Sequence, residues 1–179
     1  MTFANEPATK WGANVKSTPL TAAIEMIVLL SFGLLCLLCA FLAWIDIRDG
    51  IIPDWLNLAI AGLGLVKIMT TGDPSAAIEA LGEGAAIGAL FWLLRRLYFA
   101  YRGVQGLGLG DVKFLSAAGI WVGVTGIPPV LLIATVAALA CAGAMQLSGR
   151  ALTARTSLSF GPFLAAGLLL TSGFQQYGF

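Results

Sequence analysis

Long apolar runs separated by short polar breaks dominate this chain, and runs of that length predict helices. A helix needs roughly 20 residues to cross ~30 Å of hydrocarbon. Six runs approach that length: Ala23 to Ile45, Pro53 to Thr70, Ala76 to Leu94, Leu109 to Val124, Val130 to Leu147 and Leu158 to Phe174. Pro53 suits a helix start, where its missing N–H has no partner to lose. Gly72-Asp73-Pro74 and Gly126-Ile127-Pro128-Pro129 read as breaks. The pattern predicts an all-α fold, a polytopic bundle of about six transmembrane helices. A polar tail over 1–22 precedes a membrane-embedded unit over 23–179.

Composition supports the same class. Of 179 residues, 59% are hydrophobic and 11% charged, against about 25% charged in a soluble domain. The net charge of +1 argues against a nucleic-acid partner, since no segment is basic enough to track phosphates. The polar N-terminus lacks an apolar core followed by a small-residue cleavage site, so the first helix is expected to be a permanent anchor.

The cations cluster. With six spans, alternate loops place Arg48, Arg95, Arg96, Arg102, Lys113, Arg150 and Arg155 on one side. Lys10, Lys16 and Lys67 fall on the other. Seven against three puts the first group in the cytoplasm, as expected of a multi-pass membrane protein. Asp46 at the end of the first helix and Asp111 at the start of the fourth then share the cytoplasmic face, although they lie 65 positions apart.

The chain has no His. It cannot build a Ser-His-Asp or Cys-His centre from its own side chains, and the commonest metal ligand is missing. Cys36 and Cys39 are spaced like half a zinc site, but they sit in an apolar run without a second pair. No metal and no cofactor is expected.

Carboxylates carry the candidate chemistry. An Asp at a bilayer centre costs about 2.5 to 3.5 kcal/mol on insertion scales, and acids at such depth are functional candidates. Gly108-Leu109-Gly110-Asp111-Val112-Lys113 places one at the edge of an apolar run. Asp46-Ile47-Arg48-Asp49-Gly50-Ile51-Ile52-Pro53-Asp54 holds a second group. Two carboxylates brought together share one proton, which suits one for drawing a proton from water and the other for donating to the attacked carbonyl. Such a pair titrates as a unit, so the sequence does not divide the roles. Gly108 and Gly110 leave room for close backbone approach. Asp49 and Asp54 read as interfacial acids, and Lys113 as a partner for a carboxylate or for lipid phosphate. Glu83 is expected to face the bundle interior and pair with Lys67. Gly84-x-x-x-Gly88 and Gly119-x-x-x-Gly123 read as helix contacts within one chain.

Taken together, these motifs resemble the type IV prepilin peptidases. Asp46-x-Arg48 with Ile52-Pro53-Asp54 is similar to the first aspartate motif of that family, and Gly108-x-Gly110-Asp111-x-Lys113 to the second. Phe160-Gly161-Pro162-Phe163 is similar to its last-helix element. The resemblance implies that Asp46 and Asp111 are catalytic. It implies that Arg48, Pro53, Asp54, Gly108, Gly110, Lys113, Phe160, Gly161 and Pro162 support them. It also implies a prepilin leader as substrate, cut at the cytoplasmic face, with pilus assembly machinery as a further partner. Longer members carry a methyltransferase region with paired Cys-x-x-Cys motifs. Nothing here resembles it, so the expectation is a peptidase-only form, of the kind that accompanies Flp-type pili, whose product keeps a free amine.

Two alternatives stand beside this reading. Presenilin-like proteases share Gly-x-Gly-Asp but also carry Pro-Ala-Leu and Tyr-Asp elements, which are not present. A small transporter or assembly scaffold could use the acids to carry protons. Neighbouring pilin-like genes would favour the peptidase.

Overall fold

The structure is a computed structural model that describes residues 19–72, 74–104, 106–148 and 159–177. Five helices form among them: α1 (Pro19–Asp49), α2 (Asp54–Thr71), α3 (Pro74–Arg102), α4 (Leu109–Leu147) and α5 (Gly161–Tyr177). No strand occurs among the described residues, in line with the all-α expectation.

The count of six spans is corrected. Three described helices, α1, α3 and α4, are long and apolar enough to cross a membrane. α2 has 18 residues but carries Asp54, Asn57 and Lys67, and α5 has only 17 and closes on Gln175 and Gln176. α4 absorbs two expected helices. Gly123 interrupts it with non-helical backbone (φ 71, ψ 176), the left-handed side of φ that favours glycine. The direction of the chain changes there. Gln175 Nε2 donates to the Val122 carbonyl at 3.1 Å, and Gly126 lies beside the same side chain. Gly167, two turns nearer the start of α5, packs on the Val130 carbonyl. The stretch over 124–147 therefore returns along α5. The break falls three residues before the one expected at Gly126, and Pro128 and Pro129 lie inside the second part of α4. The first and third helices also overrun their expected ends. α3 carries on past Leu94 through Arg95 and Arg96, so the expected connector is largely helical. Leu158, the expected start of the last helix, and Arg150 and Arg155 lie outside the described residues.

Small residues set the packing of α3 on α4. A Cβ on Gly84 would meet Ile120 Cγ1 at 2.7 Å and the Ser116 carbonyl at 2.9 Å, and one on Gly119 would overlap Ile87. Ser116 Oγ donates to the Gly84 carbonyl at 2.8 Å, which closes the contact with a hydrogen bond. Gly84, Gly88 and Gly119 thus serve helix packing, whereas Gly123 makes the turn. The core is apolar and centred on Leu35, Leu42, Leu56, Ile60, Phe114, Leu115, Leu164 and Leu168. Large apolar side chains such as Leu30, Leu37, Trp44, Leu58, Ile78 and Leu132 are exposed outward. A bundle that is apolar outside as well as inside is suited to lipid.

The expected Lys67–Glu83 pair does not form. Lys67 Nζ donates to Gln176 Oε1 at 3.4 Å and sits 5.0 Å from the Trp121 ring centre. Glu83 is exposed, and its carboxylate lies where a Cβ on Gly123 would be. The turn at Gly123, which the apolar pattern does not reveal, puts backbone rather than Lys67 beside Glu83.

Candidate active site

Five chain segments meet at one end of the bundle. They are the C-terminal ends of α1 and α3 and the N-terminal ends of α2, α4 and α5. Gly50 adopts φ 64, and its N–H donates to the Asp46 carbonyl at 2.9 Å. That left-handed glycine stops α1 one turn after Asp46. The chain then passes Ile51 and Ile52 to Pro53, which caps α2. Gly110 packs directly on Ile52, where a Cβ would come within 3.0 Å of the Ile52 Cβ. The two aspartate motifs are thus held together by one glycine contact.

Asp46 is buried at 5% exposure, the only carboxylate or cationic side chain in that class among the described residues. Its Oδ2 accepts the Gly161 N–H at 2.9 Å. Ser159 Oγ donates to its carbonyl at 2.7 Å. The local sequence explains the first bond. Phe163 and Leu164 N–H groups both return to the Phe160 carbonyl at 3.1 Å, and Pro162 has no N–H. Gly161 is left as the free donor of that first turn, at the positive end of the α5 dipole. A charge-assisted bond of this kind is worth about 1.5 to 3 kcal/mol. Any Cβ on Gly161 would overlap the Asp46 carboxylate.

Asp111 sits in the first turn of α4, with Gly108 as its N-cap. A Cβ on Gly108 would lie 3.1 Å from Asp111 Oδ2. Asp111 and Asp46 line one open cavity of about 790 Å³, with Arg48, Asp49, Gly108 and Phe160.

The remaining residues fall around this pair. Lys113 Nζ reaches both Asp54 oxygens, at 2.6 and 2.7 Å, and so ties α4 to α2. Arg48 lines the cavity and makes only a loose, exposed pair with Asp49 at 3.9 Å. Arg95 Nε donates to the Leu107 carbonyl at 3.0 Å, which fastens α3 to the turn that leads into Gly108. The sequence does not single out Ser159, and it holds Gly50 and Ile52 only as members of the first aspartate group with no role of their own. Ser159 has no chemical signature there, because its hydroxyl serves backbone more than 100 positions away. Among the described residues, no three His, Cys, Asp or Glu side chains group as metal ligands.

The fold and its end-on cavity define a class: an all-helical integral membrane protein that gathers two aspartates from distant helices onto one open face. The type IV leader peptidase family matches residues 33–143, and the chain belongs to that family. A prepilin leader peptidase/N-methyltransferase of Burkholderia pseudomallei is 41% identical over 141 residues, 78% of this chain and 44% of the relative. Proteins of the same name from Xanthomonas campestris pv. campestris and Escherichia coli K12 are 36% and 35% identical, over 75% and 76% of this chain. The chain spans 44 to 59% of the length of these relatives. No solved structure matches it.

Proposed function

We propose that this protein is a membrane aspartic endopeptidase that removes the leader peptide from type IV prepilins, of the Flp type, at the cytoplasmic face of the bacterial inner membrane. The observation that carries the reading is the meeting of Asp46 and Asp111 on one cavity. Two carboxylates from helices so far apart in sequence converge there, and nothing in helix packing alone requires it.

In the reaction, the ionised carboxylate takes a proton from water as its oxygen attacks the scissile carbonyl. The protonated partner gives its proton to the carbonyl oxygen. Collapse of the tetrahedral diol breaks the C–N bond, and a proton passes to the leaving nitrogen. The products are a leader with a new carboxylate and a mature chain with a new amine. The Gly161 backbone N–H fixes the orientation of Asp46, and Gly108 leaves room beside the Asp111 carboxylate. The Lys113–Asp54 pair holds α2 and α4 in register beneath them. Phe160, Gly161 and Pro162 act by shaping the start of α5.

The substrate class follows from the family and from the site's position at the end of an apolar bundle, where a leader joined to an apolar segment could reach it. Assembly machinery of the pilus is a further partner on this reading. Co-expression with Flp-type and with other type IV prepilins tests the preference. Faster loss of the Flp leader supports it, and equal or slower loss rejects it.

Catalysis by two carboxylates needs no metal. Cleavage is expected to persist in EDTA. Activity lost in EDTA and restored by one divalent ion would instead make Asp46 and Asp111 metal ligands.

Orientation has its own test. Arg48, Arg95, Arg96, Arg102 and Lys113 cluster toward the aspartate end, as the positive-inside tendency requires of a cytoplasmic face. In a variant without Cys36, Cys39 and Cys141, a cysteine at Val104 is expected to react only with reagent admitted to the cytoplasmic side. One at Ser75 is expected to react from the outside. The reverse pattern would put the aspartates on the wrong side for a newly made prepilin.

A further inference from the structure

A second cavity, of about 550 Å³, opens beside the first between α2, α3 and α4. Leu109 lines both. Each helix contributes residues at helical spacing: Asn57 and Ala61 from α2, Gly88 and Trp92 from α3, Ser116 from α4. The walls are largely apolar and several side chains are small.

Asn57 is the exception. It is 5% exposed, and neither its Oδ1 nor its Nδ2 has a hydrogen-bond partner. An unpaired amide in an apolar setting is costly. The groove wall therefore contains an unused donor and acceptor, covered in this structure and one helical turn from Asp54, which a turn of the Asn57 side chain would bring to an occupant.

We propose that this groove receives the first turn of the apolar segment that follows the scissile bond of the substrate, and that Asn57 caps that turn. The inference rests on the hydrolase reading above. A peptide must be extended where the carboxylates act on it, and its helix can begin only beyond that point. The first N–H groups of a helix have no partner within it. In lipid they find no water either. Asn57 Oδ1 can accept one of them, and Nδ2 can donate to a carbonyl of the extended stretch. Ala61, a small residue on the α2 wall, lets the incoming backbone approach closely. A helical turn of ~10 Å diameter and 5.4 Å pitch occupies roughly 400 Å³, so the cavity fits about one turn. Leu109, shared by the two cavities, puts that turn next to the cleavage position.

The test uses a photo-crosslinking residue at Ala61 or Trp92 in the full chain carrying Asp111→Asn, so that substrate stays uncut. The probe is a prepilin peptide with leader and apolar segment, in vesicles. Adducts are expected on the first two turns after the cleavage site, and none from the same residue at Leu30, on the outer face of α1. Adducts only with lipid or with a second copy of the chain, or equal adducts from Leu30, would overturn the proposal. A kinetic arm uses two peptides, one with the apolar segment and one cut short after the cleavage site. Asn57→Leu is expected to lower the ratio of their kcat/KM values about tenfold, because only the longer peptide offers a helix turn to cap. An unchanged ratio would overturn the role of Asn57. If the wild type cuts neither peptide, the hydrolase reading falls and the groove assignment with it. If it cuts both and the Ala61 adducts are absent, the groove assignment alone falls.

Discussion

Asp46→Asn and Asp111→Asn are each expected to reduce leader cleavage by roughly a thousandfold or more, since one remaining carboxylate cannot act as both proton acceptor and proton donor. The two variants are expected to insert and fold. Asn is close to isosteric with Asp, and its carbonyl can still accept the Gly161 N–H. Asp49→Asn and Asp54→Asn are expected to be milder. Asp49 lies on the cavity wall at the surface, and Asp54 is committed to Lys113. The measurement is the fraction of prepilin shortened at matched levels of membrane-inserted protein. Substantial cleavage by a well-inserted Asp46→Asn protein would remove Asp46 from the mechanism.

Gly161→Ala is expected to have the second largest effect. The new methyl group would occupy the space of the Asp46 carboxylate. Either the carboxylate leaves the Gly161 N–H or α5 shifts. A displacement of about 1 Å at a reacting group can cost on the order of a hundredfold in rate. Helix propensity does not oppose the change, because Ala is the better helix former. Any loss therefore comes from the contact with Asp46. Gly82→Ala is the matched control, since a Cβ there meets nothing within 4 Å. It is expected to keep activity and folding. Equal activity in the two alanine variants would mean that the seat of Asp46 on α5 does not matter for the reaction.

Much of this was legible in the sequence because it depends on local pattern. Apolar runs locate the helices, and Gly-x-Gly-Asp with a following Lys marks the start of α4. The sequence leaves Lys113 open between a carboxylate and lipid phosphate, and only the structure shows that Asp54 is its partner. Other features depend on contacts that cross the chain. Pro128 and Pro129 suggest a break at Gly126, but both lie inside α4, and the bend falls at Gly123, where glycine alone adopts the positive φ that the turn uses. The six-span count treats every apolar run alike. In the structure, α2 and α5 are shorter or more polar than the three long helices.

The last-helix motif shows the same limit at the site. Phe-Gly-Pro-Phe falls inside an expected helix from Leu158, and only the family resemblance gives it a supporting role. Its use appears only when α5 lies against α1, where Pro162 withholds a donor and Gly161 supplies one to Asp46. Ser159 and Asn57 were invisible for a similar reason. Each is an ordinary polar residue until its neighbours, or the lack of them, are known.

The central claim is that this chain hydrolyses a prepilin leader with Asp46 and Asp111. Its most direct test is mass analysis of a Flp-type prepilin incubated with the purified protein in vesicles, beside the Asp111→Asn variant. The account predicts two products from the wild type, a free leader and a mature chain with a new N-terminus, and intact prepilin from the variant. Intact prepilin with a correctly inserted wild-type protein, or the same two products from the variant, would contradict it.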